Sequence, residues 1–537
     1  MKKIFLIIAI GTLAGFSSCT KEQFSDHYAD PSKVSSTTVE KQFAGFLGSN
    51  LDYVMYKYWN YFVVLQNTML PWTQTVGMIN SPGRYVPGAA AINDRWSNYY
   101  GFLAQYKELL RVYNALSPED QSDKRIYMIA ATIYFYDHSE KVVDLHGDIP
   151  WSEAGLLGTN QGDYEKSAAK YDAATDIYTK MLDDLKGFSD ELNTITIKSG
   201  TETVFKTQDF VNDGDVTKWK KYCNSLRLRM LTRVSGVSSF QSRVSSEIAA
   251  ILADQASYPL VLTNDDNIMI KVTDPTSGIN NGTNTGSAAD FHNGLIGWGG
   301  GDIAGKKMID FMNTNADPRL RAMFEPGDSA KPAGTYIGLD PSLDNTTQTN
   351  LANGGTLARY NRSTLTQNIM IPGMLINAAE VNLMLAEYYL NAGNDASARS
   401  AYEAGINQSI DYYYWVRTIS NDQTAGPLTP TTPVEKNAYL ASPGVAWADA
   451  ATTADKLNII ATQKWINYNV LQPTEAWAEI RRLKLPVLNF VSDGSAVQPL
   501  PPNRWVLPAD EITFNSANYQ AVSADDKLTT KIFWDVK

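Results

Sequence analysis

Cysteine and histidine are scarce in this 537-residue chain, with two of the first and four of the second. Cys19 and Cys223 are the whole thiol complement, so no disulfide framework is available, and none at all once Cys19 is modified. An exported chain without bridges must rest on a large apolar core, which 44% hydrophobic content supplies. Four histidines leave little for a metalloenzyme or a Ser-His-Asp triad. Basic charge is short as well: 46 Lys and Arg face 57 Asp and Glu, a net of -11, and losing Lys2 and Lys3 with a leader makes it -13. That balance excludes a nucleic-acid surface and electrostatic binding to anionic headgroups. Beyond the leader, no run approaches the ~18 apolar residues a transmembrane helix needs. No G-x-S-x-G, H-E-x-x-H, Walker A or G-x-G-x-x-G stands in a suitable context, which leaves enzymatic readings unsupported.

What is present begins with the leader. Met1-Lys2-Lys3 precedes an uncharged stretch from Ile4 to Phe16, followed by Ser17-Ser18-Cys19. The apolar run suits a signal-peptide core and is too short to span a bilayer. Small residues before a cysteine resemble a lipobox, in which the cysteine thiol is acylated and becomes the new N-terminus. Phe16 stands where such sequences usually carry Leu. Cys19 is therefore the expected lipidation site, and membrane attachment through acyl chains rests on it alone. Aromatic residues are plentiful, with 12 Trp and 29 Tyr, flat amphipathic faces suited both to helix packing and to stacking on a ligand.

Residues 1–18 read as the lipoprotein signal peptide and 19–38 as a polar tether. Residues 39–257 read as an N-terminal helical region. The first apolar pattern, from Val39 to Thr68, places Phe43, Phe46, Leu47, Leu51, Val54 and Tyr58 on one stripe. Pro71, Gly77, Pro82, Gly83, Pro87 and Gly88 then make a loop of 69–88. Helical patterns follow at about Ala90–Leu116 and Ser122–Leu145, an antiparallel hairpin with Ser122 or Asp123 as the second cap. Others run at about Ser167–Phe188, Thr217–Ser235 and Phe240–Asp254. Residues 258–373 turn Gly-, Asn- and Thr-rich and predict an irregular insert lobe with one helix near Ile303–Asn313. In 374–537, helices are predicted at Met374–Asn391, Asp395–Asp411, Thr453–Leu471 and Pro473–Leu483. The pair around Gly393 resembles a tetratricopeptide hairpin, with Ala386, Ala398 and Ala404 allowing close approach and Tyr402 filling the groove. No strict 34-residue repeat is present, so the array is degenerate. The fold class is mostly α: tetratricopeptide-like helical hairpins with an inserted irregular, loop-rich lobe.

Several segments in order carry a resemblance. They are Asp144-Leu145-His146-Gly147-Asp148-Ile149-Pro150-Trp151, the arginine-studded stretch Trp219 to Arg233, and Ala379 to Glu387. Gln463-Lys464-Trp465-Ile466 and Glu475 to Leu483 follow, with the Asp317-Pro318-Arg319-Leu320 turn and a tail from Arg504-Trp505 to Trp534-Asp535. Together these resemble the signature stretches of the SusD/RagB family of nutrient-binding outer-membrane lipoproteins, over the chain from Cys19 to its end. The resemblance implies four tetratricopeptide-like pairs, a ligand surface on the irregular lobe, and no cofactor. It also implies a TonB-dependent β-barrel partner (SusC-like) that the protein closes as a lid over captured glycans, oligosaccharides or peptides. Surface exposure on the outer membrane is implied by the family alone, since Thr20-Lys21-Glu22-Gln23 offers just one acid after the cysteine.

Capture without chemistry calls for exposed aromatic faces beside amides and guanidinium groups. Trp72 and Tyr85, with Asn80 and Arg84 between them, meet that need in the 69–88 loop, and Trp298 among glycines is a further candidate. Arg227, Arg229, Arg233, Glu380 and Glu387 read as scaffold charges paired at the surface, Trp477 as a ring one turn from Arg481, and Glu479 as a partner for Arg482. Asp209 to Asp215 lacks EF-hand spacing and reads as a helix-leading turn, while His138 and His146 near Asp144 and Asp148 make a weak divalent site; no metal is expected. The leading function is a non-catalytic binding lipoprotein. A surface glycoside hydrolase of all-helical fold is the alternative, and a purely structural helical assembly protein the third reading.

Overall fold

The computed structural model describes residues 37–272, 289–297, 300–494 and 497–537. Cys19 and Trp298, and the leader with all but the end of the tether, lie outside these residues. The chain is mostly α-helical, and its helices stack as hairpins. α1 (Val39–Gly48) opens under a Thr38 cap and buries Val39, Phe43, Phe46 and Leu47. The long helix predicted through Thr68 does not continue. Gly45, Gly48, Ser49 and Asn50 favour termination, and the Ser49 hydroxyl turns back onto Phe46 O at 2.7 Å. Short turns at Leu51–Val54 and Met69–Trp72 and a π-helical segment at Asn60–Leu65 replace it.

α2 (Ala89–Asn114) and α3 (Arg125–His146) form the expected hairpin. The cap differs from expectation: Ser117 caps a six-residue helical link, Pro118–Asp123, that delivers the chain to Lys124. Pro at the first helical position and the Ser117 hydroxyl together make that the stronger start. α3 is buried on nearly every face, and its rings interlock with α1 and α2, Tyr106 stacking on Phe135 at 4.2 Å. Gly147, at φ 78°, ends it, and β1 (Ile149–Pro150) pairs antiparallel with β2 (Tyr171–Asp172).

α4 (Ala174–Leu192), α5 (Val216–Arg233) and α6 (Gln241–Ala253) complete the first half. Before α5 the acidic turn serves the backbone: Asp209 accepts from the Val211, Asn212 and Gly214 N–H groups and from Trp219 Nε1, while Asp215 caps Thr217 and Lys218. β3 (Ile268–Ile270) pairs antiparallel with β6 (Gly373–Ile376), so the excursion between them leaves and rejoins the body at one place. Inside it lie α7 (Lys306–Thr314), β4 (Phe324–Glu325) and β5 (Arg359–Tyr360). The 55–88 segment packs into this lobe as well: Tyr360 Oη donates to Thr75 O at 2.6 Å, and Gly77 N to Ile303 O at 2.6 Å.

α8 (Ala378–Asn391) and α9 (Asp395–Thr418) are the tightest hairpin. Gly393 turns between them at φ 73°, and a Cβ at Gly405 would stand 2.8 Å from Leu383 Cγ, so the close approach depends on glycine there. Tyr402 reaches across to Val445 O at 2.8 Å. α10 (Thr453–Tyr468) and α11 (Pro473–Leu483) follow. Arg319, wholly buried in the Asp-Pro-Arg turn, bolts the lobe to both helical walls through Ser409 on α9 (3.0 Å) and Gln463 on α10 (2.7 Å).

The motif charges expected at the surface lie in the interior. Arg229 on α5 donates to Glu380 of α8 (2.6 Å) and Asp137 of α3 (2.9 Å). Arg233 donates to Glu475 (2.6 Å) and Glu479 (2.5 Å) of α11 and stands 3.0 Å from Asp144 of α3. Lys464 of α10 joins Glu387 (2.6 Å) to Glu479 (2.8 Å), and Arg482 clasps the same two carboxylates at 2.7 Å. Burial alone would raise the Glu479 carboxyl, yet Arg482, Lys464 and Arg233 hold it well below its ordinary value. The role is scaffolding, as read, but as an internal clamp across five helices. Trp477 lies under Arg481, whose guanidinium carbon is 3.5 Å from the ring centre.

Candidate ligand-binding cleft

An open cleft of about 900 Å³ runs between the irregular lobe and the C-terminal helices. That volume suits a ligand of several sugar or amino-acid units. One wall is α7, whose Lys307, Asp310, Phe311 and Thr314 recur at helical spacing and so share a face. The facing wall is α10, with Asn458, Thr462 and Trp465 one turn apart in succession. The loop after α11 gives Val487, Asn489, Phe490 and Val491, and Asp340 to Ser342 form the remaining rim. Phe311 and Phe490 are half-buried, while Lys307, Asn458, Asn489 and Val491 are exposed. The lining thus offers two partly open rings among amides, hydroxyls and a lysine.

The 69–88 segment stands behind this cleft. Asn80 Nδ2 donates to Pro341 O (3.0 Å) and Leu343 O (2.8 Å), holding one rim. Arg84 Nη2 (2.5 Å) and Tyr85 Oη (2.9 Å) both donate to Val491 O, and Tyr85 meets Phe490 edge-on with centroids 6.0 Å apart, holding the other. The segment is less open than its prolines and glycines suggest. Trp72 is 1% exposed: its Nε1 donates to Arg84 O at 3.1 Å and its ring packs on Trp477 at 5.4 Å. The structure therefore gathers Trp72, Asn80, Arg84 and Tyr85 into one wall but turns the aromatic faces inward, correcting the expectation of exposed loop rings. Breaking residues signal an irregular backbone, and irregular backbone here is covered by the 340s and 490s loops.

Phe311, Phe490, Asn458 and Asn489 were not singled out by sequence. They come from three separate stretches, and no spacing along the chain brings them together. Among the described residues the exposed tryptophans are also elsewhere, Trp59 at 56% and Trp415 at 36%, both beside or within helical segments. Neither carboxylate of the cleft is free: Asp310 pairs with Lys306 at 2.6 Å. Burial would raise Asp340, but the Ser342 hydroxyl and N–H hold it below its ordinary value. Among the described residues no cluster of His, Cys, Asp and Glu could hold a metal ion. Asp144 is committed to Arg233, Tyr178 and Trp534, and Asp148 to the Ala174 N–H. Among the described residues no helix is long and apolar enough to cross a membrane.

This architecture, stacked helical hairpins of tetratricopeptide-like form carrying an irregular lobe, defines an α-helical class with a cleft at the junction. The chain belongs to the SusD-like family: a family model described as "Starch-binding associating with outer membrane" matches residues 35–508. Among solved structures, a chitin-binding protein superposes with a TM-score of 0.71 at 22% identity, over 92% of this chain and 100% of the other. A SusD-like protein of Bacteroidetes gives 0.72 at 19%, over 93% and 100%. A SusD homologue from Bacteroides fragilis gives 0.71 at 19%, with the same coverage. At these identities the likeness establishes the fold. No protein with a curated description matches the chain.

Proposed function

We propose that this protein is a non-catalytic, nutrient-binding lipoprotein of the outer-membrane surface, which captures glycans or oligosaccharides and passes them to a TonB-dependent transporter. Family membership over residues 35–508 carries the reading. The cleft supports it: two half-open phenylalanine rings accept the C–H face of a sugar, while Asn458, Asn489, Thr314 and Ser342 can read its hydroxyls. The hydrolase alternative needs two carboxyls at a defined separation, one of them poised as an acid. In this cleft one is ion-paired and the other is held as an anion. Cys19 would carry the acyl anchor, and Trp298 enters the ligand surface on its glycine-flanked sequence setting alone.

The deciding experiment is calorimetry of the purified protein against starch and chitin oligosaccharides and a peptide panel, with a reducing-end assay on the same mixtures. Binding without new reducing ends is the expected outcome; turnover, or no binding to any of them, overturns the reading. Phe490→Ala is expected to weaken affinity about 30-fold, the equivalent of about 2 kcal/mol for a buried aromatic anchor, with the helical circular-dichroism signal intact. For the anchor, Cys19→Ala should abolish incorporation of labelled palmitate and shift the protein to the soluble fraction. Recovery of a co-purifying β-barrel from solubilised membranes tests the transporter.

A further inference from the structure

A groove of about 520 Å³ lies on the helical body between the end of α5, the face of α6 and the end of α8, and it shares no lining residue with the ligand cleft. Gln241, Ser245 and Ile248 recur along one face of α6, with Val244 beside them. Glu387, Tyr388 and Asn391 come from the last turns of α8, and Thr232 and Ser235 from the end of α5 and just beyond it. Thr232, Val244, Ile248 and Glu387 are buried and form the floor. Ser235 and Tyr388 are half-buried, while Gln241, Ser245 and Asn391 stand exposed at the mouth. The volume falls within the range of small-ligand sites and suits a short oligosaccharide.

The fold leaves most of the polar lining unused. The Tyr388 hydroxyl, the Gln241 and Asn391 amides and the Thr232 and Ser235 hydroxyls make no hydrogen bond to any other described residue. They surround the apolar pair Val244 and Ile248 and one aromatic ring, which an edge contact with Tyr389 holds at 5.6 Å. A sugar matches this set: its C–H face covers the ring while its hydroxyls both donate to and accept from amides and hydroxyls. Ions fit less well. Glu387 accepts from Arg482 (2.7 Å) and Lys464 (2.6 Å), so an anion would meet a carboxylate, and a cation would find that carboxylate already paired twice. A peptide strand would need a free backbone edge, yet the walls are helices whose interior backbone is bonded along its own axis. A partner helix would need an apolar stripe, and here Val244 and Ile248, one turn apart, lie beneath a polar mouth. We propose that this groove is a second saccharide site, which takes a short uncharged oligosaccharide with one ring stacked on Tyr388.

Calorimetry with maltotriose and with triacetylchitotriose should show a binding event that persists in the Phe490→Ala protein, whose cleft is weakened. Tyr388→Ala should weaken this event about tenfold, as loss of an aromatic contact does. Ser245→Trp, which fills the mouth from an exposed helical position, should abolish it. If the tyrosine variant fails to fold, the Ser245→Trp protein decides alone. Sugar binding whose affinity and stoichiometry neither variant changes overturns the proposal and leaves the cleft reading standing. Absence of binding to both sugars overturns it as well. So does an event that appears with peptides alone and is lost in Ser245→Trp, which would make the groove a peptide site.

Discussion

Replacing Arg233 with Met is expected to cost about 3–5 kcal/mol of stability, read as a lowered urea midpoint at unchanged slope. The side chain is wholly enclosed, and its guanidinium faces Glu475, Glu479 and Asp144 together. Methionine fills much of the volume, so the loss comes from stranded carboxylates rather than from a void. Lys464 and Arg482 still hold Glu479, but Glu475 keeps just Arg229, at 3.8 Å. Glu140→Gln is the matched control. Glu140 is fully buried with neither oxygen hydrogen-bonded and its nearest cation, Arg229, 3.9 Å away, and burial with Glu475 nearby carries its carboxyl well above the ordinary range. An amide there replaces a group already driven toward its neutral form, so a change below about 1 kcal/mol is expected. Equal losses from the two variants, or a loss under about 1 kcal/mol for Arg233→Met, would mean that the charges do not clamp the helices.

The helices were legible because their periods are long and their ends are marked. α2, α5, α8 and α11 start and stop within a few residues of the apolar pattern, and Gly393 announces its own turn. The same segments hid their energetics. Arg229, Arg233, Glu380, Glu387 and Lys464 look like solvated faces in one dimension, since a charge is placed outside by default. Five helices must converge before their partners become visible, and each partner lies on a different helix. Nor could the cleft be read, for a related reason. α7, α10 and the 486–491 loop each bring three to five lining residues, and none of these groups is unusual alone. Composition marked the 69–88 segment as irregular, which it is beyond Trp72, but proline and glycine report backbone freedom and say nothing of what lies on top.

Trp72→Ala separates wall from contact. Its indole is buried between the Arg84 carbonyl and Trp477, which in turn supports Arg481, so truncation opens a void at the base of a stack. The expected loss is about 3–5 kcal/mol, seen as a large fall in melting temperature. Trp72→Phe keeps the apolar bulk but leaves Arg84 O without its donor, and should cost about 1 kcal/mol. Because Arg84 and Tyr85 hold Val491 O from that base, ligand affinity should fall in proportion to the stability lost across the two variants. Phe490→Ala should do the opposite, losing affinity while its melting temperature stays near wild type. A Trp72→Ala protein that melts like wild type yet binds nothing would place the indole against ligand, and the inward-facing wall described here would be wrong.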